Sequence, residues 1–343
     1  MSSSGAATDV HGLPDGLWSR TPDERDISDV VSLLAAGRSA TDKPVDVERV
    51  TANLVGLGSW TRRQRVVRDP QGRLLAWAVA HDRAVGRTNV ELAVAAGETE
   101  DAVAQALLGW VRATGAVLAR LRGVPETQLD ATPSATDQRA HAWLTAAGYS
   151  PVRDWLQMVR PVTADDVHGA AALRPGVSVR RVREHASGLP VAEDVQTVHQ
   201  LLEESFADHF NSYRESFGEF VQRLREDPWH RWDHWWIAEL TDAGTPQPAG
   251  ALISSVAPPD AEGNYGSYVD YIGVHRRSRG RGVAKALLAT VVADAAQRGR
   301  HHTGLEVDAA SPTHADELYR ALGWQVDHVT QSWHHQVPAA PPE

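Results

Sequence analysis

Between Val274 and Leu288 the chain reads VHRRSRGRGVAKALL. Arg276, Arg277, Arg279, Arg281 and Lys285 place five cations in ten residues, punctuated by Gly280 and Gly282. Glycine reaches backbone conformations closed to other residues, so this pair lets a turn fold tightly. Successive N–H groups then point into one concavity, and at the head of a helix such a nest binds phosphate oxygens. A strand-like run, Ser267–Val274, enters the turn, and a helical pattern, Val283–Ala296, leaves it. The net charge of the whole chain is −10, so a local basic cluster points to capture of a polyanion. The plain alternative is a glycine turn with solvated arginines. A Walker loop requires G-x-x-x-x-G-K-[ST], which this stretch lacks, and Lys285 occupies the third glycine place of a Rossmann fingerprint.

Arg277, Gly280 and Gly282 fit the pattern [QR]-x-x-G-x-[GA], and the segment resembles the coenzyme A loop of the GCN5-related N-acetyltransferases (GNAT). About thirty residues on, Ser311 to Trp324 resembles the family's N-x-x-x-A-x-x-L-Y-x-x-x-G-[FWY] segment. Ala315, Leu318, Tyr319, Gly323 and Trp324 match it, and Ser311 replaces the usual Asn. The resemblance implies acetyl-CoA as co-substrate, no metal, and direct attack of an amine on the thioester in a ternary complex. The absence of cysteine agrees with a route that has no cysteinyl acyl-enzyme.

The same resemblance implies roles. A backbone N–H on Ile272-Gly273-Val274 polarises the carbonyl. The N–H groups of Arg279, Gly280, Arg281, Gly282, Val283 and Ala284 hold the pyrophosphate, Arg277 or Arg276 reaches a phosphate, and Ser311 bonds the coenzyme arm. Tyr319 is the general acid for the leaving thiolate, or a tyrosine packed in the core. Gly273 is alternatively a packing or bulge glycine. Strand alternation puts Tyr268, Asp270 and Ile272 on one face and Val269, Tyr271 and Gly273 on the other. Tyr268 stands where some relatives carry a catalytic Glu, and Asp270 is either the base or the partner of an arginine. For the acceptor, Asp208, His209, Trp229 and Trp232 offer charge and cation–π contact to a cationic amine, unless the tryptophans fill the core.

The elements that position these groups occur twice. In the second half a strand, the loop, a helix, the strand Thr303–Val307, the helix Ala315–Leu322 and Gly323-Trp324 follow in order. In the first half the order is Asn89–Val94, a helix from Asp101 to Thr114, Thr127–Asp130, a helical stretch from Arg139, and Gly148-Tyr149. Trp155–Val159 closes the first copy as Gln331–His334 closes the second. The first copy carries Ala95 to Asp101 in place of the arginine loop, and three acids there repel a pyrophosphate. Leu144 takes the place of Tyr319.

The expected fold class is α/β, an α+β mixed sheet, as two tandem GNAT-like domains, each a mostly antiparallel central sheet flanked by helices. The expected layout is a tail over 1–16, a degenerate domain over 17–161, a linker over 162–176, the catalytic domain over 177–337 and a tail over 338–343. This tandem plan is similar to the mycothiol synthase-like acetyltransferases. A chain of 343 residues is comfortable for two domains. No apolar run approaches the ~20 residues of a membrane span, and no secretory signal opens the chain, so the cytoplasm is expected. The acidic balance argues against nucleic acid and suits cationic substrates. The sixteen histidines form no spaced ligand set, and adjacent pairs such as His301-His302 point apart.

The expected function is acetyl transfer to the primary amine of a small molecule, by a monomer or homodimer. Acetylation of protein N-termini or lysines is the second reading. A coenzyme A-binding or partner-binding module without turnover is the third.

Overall fold

A computed structural model describes residues 9–38, 43–84, 86–172, 174–207, 215–242 and 244–341. The first half runs β1 (Trp18–Arg20), α1 (Ile27–Ala36), α2 (Val47–Leu54), β2 (Arg62–Arg68), β3 (Leu74–Ala84), β4 (Arg87–Val94), α3 (Glu100–Arg122), β5 (Glu126–Ala131), α4 (Gln138–Ala146) and β6 (Ser150–Pro161). The second half runs β7 (Val177–Arg181), α5 (Ala192–Phe206), α6 (Phe217–Glu226), β8 (His230–Asp242), β9 (Thr245–Ala257), β10 (Gly266–Val274), α7 (Val283–Gln297), β11 (His302–Asp308), α8 (Ala315–Ala321) and β12 (Gln325–Pro338).

Two compact units result. One takes the chain up to Trp155 together with Arg225–Pro228 and the stretch from Val329 onward; the other takes Leu156–Leu224 and Trp229–His328. The first unit orders its strands β1-β2-β3-β4-β5-β12. Its pairs are antiparallel except β4 with β5. One face packs on α3, where Val103, Leu107, Leu108 and Val111 are buried as the helical spacing predicts. Helix α3 is long and apolar enough to cross a membrane by length and composition, and most of its apolar stretch is buried in this core, Leu121 being exposed. It ends at Gly123, whose φ of +68° suits a left-handed stop. The opposite face packs on α1 and α2 through Val30, Leu33, Val50 and Leu54.

In the second unit the order is β6-β11-β10-β9-β8-β7. Strands β7 to β10 are antiparallel and β10 is parallel to β11. Helix α7 covers one face with Val283, Leu287, Leu288 and Val291. Helices α5 and α6 cover the other with Val198, Leu202, Phe220 and Leu224. The mixed, mostly antiparallel sheets agree with the expected fold class.

Three local expectations need correction. Trp333–Pro338 of β12 pairs with Glu126–Ala131 of β5, so this strand completes the first unit rather than the second. Leu156 onward of β6 belongs to the second unit, where β6 neighbours β11. Period-two alternation identifies a strand but not its neighbour. Second, residues 9–16 are not a loose tail, since Val10 is buried in the first core. Third, Ala339 and Ala340 donate to the carbonyls of Pro125 and Ala116, so these two residues are pinned as well.

Asp194, 2% exposed in the first turn of α5, anchors that helix. Its oxygens accept Arg180 at 2.7 and 3.1 Å, and Arg183 through its backbone N–H at 2.8 Å and its side chain at 2.9 and 3.1 Å. Burial alone raises the pKa of this carboxyl, but the bonds from Arg183 and Arg180 overcome it and hold the group well below the usual carboxylate range. A depressed folded-state pKa stabilises the fold above the unfolded value, near 3.9, and that contribution drains away as pH falls through the folded value. Asp194→Asn is therefore expected to cost about 2 kcal/mol at pH 7. Urea midpoints measured against pH should show the wild-type advantage shrinking below about pH 4; a pH-independent difference would contradict the assignment.

Candidate active site

The link from β10 to α7 is short and ordered from within. A 3-10 turn, Arg276–Ser278, follows His275. The His275 Nδ1 accepts the Arg277 N–H at 3.2 Å, and Nε2 lies 2.9 Å from the Glu204 carboxylate on α5. Gly280 and Gly282 adopt φ of +75° and +90°, the left-handed region that favours glycine. The N–H groups of Gly280, Arg281, Gly282, Val283, Ala284 and Lys285 bond to no described residue. They continue into the first turn of α7, whose aligned peptide dipoles add positive potential. The Arg279 N–H, expected among them, donates instead to the Arg276 carbonyl at 3.3 Å. The row begins at Gly280 and extends one residue past Ala284.

Not all of the basic cluster is available. Arg281 makes two 2.6 Å bonds to Asp242, whose carboxyl is held below the usual range by that hydrogen bond. Arg277 leans on the Pro248 carbonyl at 3.4 Å, and Arg279 is exposed. A further arginine, Arg174, lies against Gly282. Nothing in its sequence context marks it, because it sits in the irregular stretch ahead of β7.

Strand β10 carries a feature that alternation alone does not reveal. Its register against β9 runs Val269↔Ser254 and then Tyr271↔Ile253, so Asp270 is the extra residue of a bulge. The bulge changes which side chains share a face. Val269, Ile272 and Val274 all pack in the α7-side cluster, whereas Tyr271 packs on the α5-side cluster. A Cβ on Gly273 would lie 2.9 Å from Ser205 on α5. Tyr268 and Asp270 remain together, but Ile272 leaves their face and Tyr271 and Gly273 join it. The Asp270 Oδ1 accepts the Ser255 hydroxyl at 3.2 Å. The Tyr268 ring lies across Gly304, and its hydroxyl donates to Gln157 at 3.3 Å.

The parallel register of β10 and β11 runs from Gly266↔His302 to Val269↔Leu305, and β10 continues for five residues beyond it. The His275 N–H donates to Ala249, directly beyond the end of β9's pairing with Val274. Alternation therefore turns the Gly273 N–H toward β9 and those of Ile272 and Val274 toward the opposite edge. Of the three expected carbonyl-polarising amides, Gly273 drops out for this reason. Its missing Cβ instead lets α5 approach.

Tyr319 on α8 is 7% exposed and packs tilted against Trp324, ring centres 6.3 Å apart. Its hydroxyl bonds to no described residue. Burial pushes its phenol up to about 12, so the proton stays in place through neutral pH. Ser311 is buried, and its hydroxyl meets the Thr313 hydroxyl at 3.0 Å, inside its own turn. His314, with φ of +49°, follows that turn and precedes α8.

Among the expected acceptor residues, Asp208 and His209 lie outside the described residues. Trp232 packs edge-on to His230 at 4.6 Å and tilted to Trp235 at 5.0 Å, inside the α5-side cluster. Trp229 packs on Tyr265 at 6.0 Å. The residues that share the face of Tyr271 were not legible in advance. Arg223 donates to the Tyr271 hydroxyl at 2.8 Å, is gripped by Glu215 at 2.7 and 2.8 Å, and lies 4.9 Å over the Tyr271 ring. Among the described residues no group of His, Asp or Glu is placed to hold a metal ion.

The first unit repeats the plan with different chemistry. Its β4–β5 register also spans four parallel pairs, ending at Val90↔Ala131. The β3–β4 register passes Glu91 without a shift. The Gly97 N–H donates to the Glu100 carboxylate at 3.0 Å, and Glu100 pairs with Arg139 at 2.8 Å. A cavity of about 290 Å³ beside this loop is lined by Glu98 and Glu100 among others. Leu144 is buried where the second unit has Tyr319.

Residues 198–324 match the model of the acetyltransferase (GNAT) family. The chain is 27% identical over 258 residues to a mycothiol acetyltransferase of Kocuria rhizophila, covering 74% of this chain and 78% of that protein. Its fold is similar to a GCN5-related N-acetyltransferase from Sphaerobacter thermophilus, with TM-score 0.71 and 24% identity over 96% of this chain and 99% of the other. It is also similar to a tandem GNAT protein from the clavulanic acid biosynthesis pathway, with TM-score 0.64 and 17% identity over 95% and 100% of the two chains.

A side chain at position 282 would be forced into a left-handed backbone and would meet the Arg174 stem at 2.9 Å. Gly282→Ala is expected to raise the Kd for acetyl-CoA about tenfold, with the far-UV circular dichroism unchanged. Calorimetric titration measures this, and an unaltered Kd would remove the turn from the site.

Proposed function

We propose that the chain is a tandem-form member of the GNAT acetyltransferase family, an acetyl-CoA-dependent N-acetyltransferase whose second unit acetylates the primary amine of a small molecule. The observation that carries this reading is the row of unbonded N–H groups from Gly280 to Lys285, in the same unit as an unbonded, protonated Tyr319 hydroxyl. The first unit is the non-catalytic copy: its loop amide is taken by Glu100, and Leu144 has no proton to give.

The reaction needs three things of the protein. The amine must lose a proton, the thioester oxygen must be stabilised as it gains charge, and the departing sulfur must be protonated. Diphosphate held at the head of α7 directs the pantetheine arm along the edge of β10 that extends past β11. The Ile272 and Val274 amides face that edge, and a fixed donor to a developing oxyanion is worth about 3 kcal/mol. The amine nitrogen attacks the carbonyl carbon and forms the C–N bond. Asp270, re-aimed by the bulge, takes the amine proton directly or through water. The C–S bond breaks, and Tyr319 gives its proton to the thiolate. Tyr268 is the weaker candidate for the base, because its ring is laid over Gly304 and its hydroxyl is engaged by Gln157.

A small acceptor is supported by the α5–α6 face, where Arg223, Glu215 and Tyr271 form a closely bonded set beside Asp270. The names of two relatives, a mycothiol acetyltransferase and a protein of clavulanic acid biosynthesis, agree with small-molecule chemistry. A screen of aliphatic amines, amino sugars and lysine or N-terminal peptides, read by release of free thiol from acetyl-CoA, tests the reading. Turnover confined to peptides would overturn it.

Two substitutions test the roles. Tyr319→Phe should lower kcat about a hundredfold while the acetyl-CoA Kd stays within about twofold; an unchanged kcat would remove Tyr319 from proton transfer. Asp270→Asn should lower kcat/KM about tenfold or more and abolish the acid limb of its pH profile. A retained limb would assign the base elsewhere.

A further inference from the structure

Arg174 enters from the irregular stretch before β7 and reaches the turn between β10 and α7. Its Cδ lies 2.9 Å from where a Cβ on Gly282 would stand, so the arginine stem occupies the space that glycine leaves open. Its Nη1 donates to the Gly280 carbonyl at 3.4 Å, a long and weak bond. Arg174 is exposed, and no carboxylate among the described residues pairs with it. Other arginines of this unit have carboxylate partners. Arg180 and Arg183 share Asp194, Arg223 holds Glu215, and Arg281 holds Asp242. In the turn itself Asp242 neutralises Arg281, and Arg174 brings an unpaired charge from outside, held against the Gly280–Gly282 backbone.

We propose that Arg174 is a side-chain clamp on the diphosphate of the coenzyme, reaching the amide nest alongside Gly282. This rests on the reading of the turn as a coenzyme site and adds to it a residue outside the family's loop pattern. The nest supplies only partial charges, from oriented N–H groups. A diphosphate brings full negative charges, which a planar guanidinium meets with two parallel hydrogen bonds. The single bond to Gly280 costs little to exchange for such a pair. Arg174 is a binding residue, with no part in the proton transfers, so its loss should appear in coenzyme affinity and not in chemistry at saturation.

The test titrates full-length wild type, Arg174→Ala and Arg174→Lys with three thioesters: acetyl-CoA, acetyl-dephospho-CoA and S-acetylpantetheine. Arg174→Ala is expected to weaken both nucleotide-bearing thioesters by the same factor, on the order of tenfold, and to leave S-acetylpantetheine unchanged. The lysine variant should fall between, and kcat at saturating acetyl-CoA should stay within about twofold for both. Equal affinity in wild type and Arg174→Ala would overturn the clamp, as would tighter binding by the variant, which would make Arg174 a plug. A loss seen with acetyl-CoA but not with acetyl-dephospho-CoA would move the contact to the ribose phosphate and overturn the diphosphate assignment. Wild type that binds no acetyl-CoA would fail the coenzyme reading itself, a result distinct from each of these.

Discussion

The constraint on which the second unit depends is the pair of left-handed glycines between β10 and α7. Gly280 and Gly282 turn the chain so that the unbonded amides of the turn run on into those of the first turn of α7, which has no carbonyl ahead of it to bond. Exposed at a helix end, these groups are satisfied by water or by an anion. Around them the structure is tight. Gly273 admits α5 within 2.9 Å of its missing side chain, and Gly250 would place a Cβ 2.8 Å from the Gly273 carbonyl. The scaffold is closely packed wherever the turn is anchored and unbonded where a ligand would sit. The first unit shows the contrasting case, in which Glu100 supplies the anion from the chain itself.

The bulge at Asp270 plays the corresponding part in strand β10. One extra residue in β10 keeps Val269 and Ile272 in the α7-side core and brings Asp270 and Tyr271 onto the α5 side together. Without it, strict alternation would place Ile272 among the polar groups. The equivalent stretch of β4 has no such shift at Glu91. The difference between the two copies thus lies in a handful of local features laid on the same four parallel pairs: a bulge, two glycines, a tyrosine and the sign of charge in one loop.

Much of this was legible in the residues. Val283–Gln297 and Ala315–Ala321 follow helical spacing and the turn signals around them, and the loop motif names its own glycines. Tyr319 could be singled out by its motif, and its place in the α7-side core with an unbonded hydroxyl fits both a packing residue and a proton donor. The bulge left no trace, because neither glycine nor proline marks it and one inserted residue reverses every later side chain. Arg174 and the Asp242–Arg281 pair depend on long-range approach that local pattern does not encode. The partner of β12 is hidden in the sequence for a related reason. Trp333 and Val337 alternate as a strand should, yet the apolar face that buries them is that of the first unit.

The central claim is that main-chain amides at the head of α7 grip the diphosphate of acetyl-CoA. Amide hydrogen exchange, followed by mass spectrometry with and without saturating acetyl-CoA, observes those groups themselves. The account predicts marked slowing in peptides that contain Gly280 to Lys285, with the matching loop around Gly97 in the first unit unchanged. Bound acetyl-CoA with undiminished exchange across Gly280 to Lys285 would contradict it.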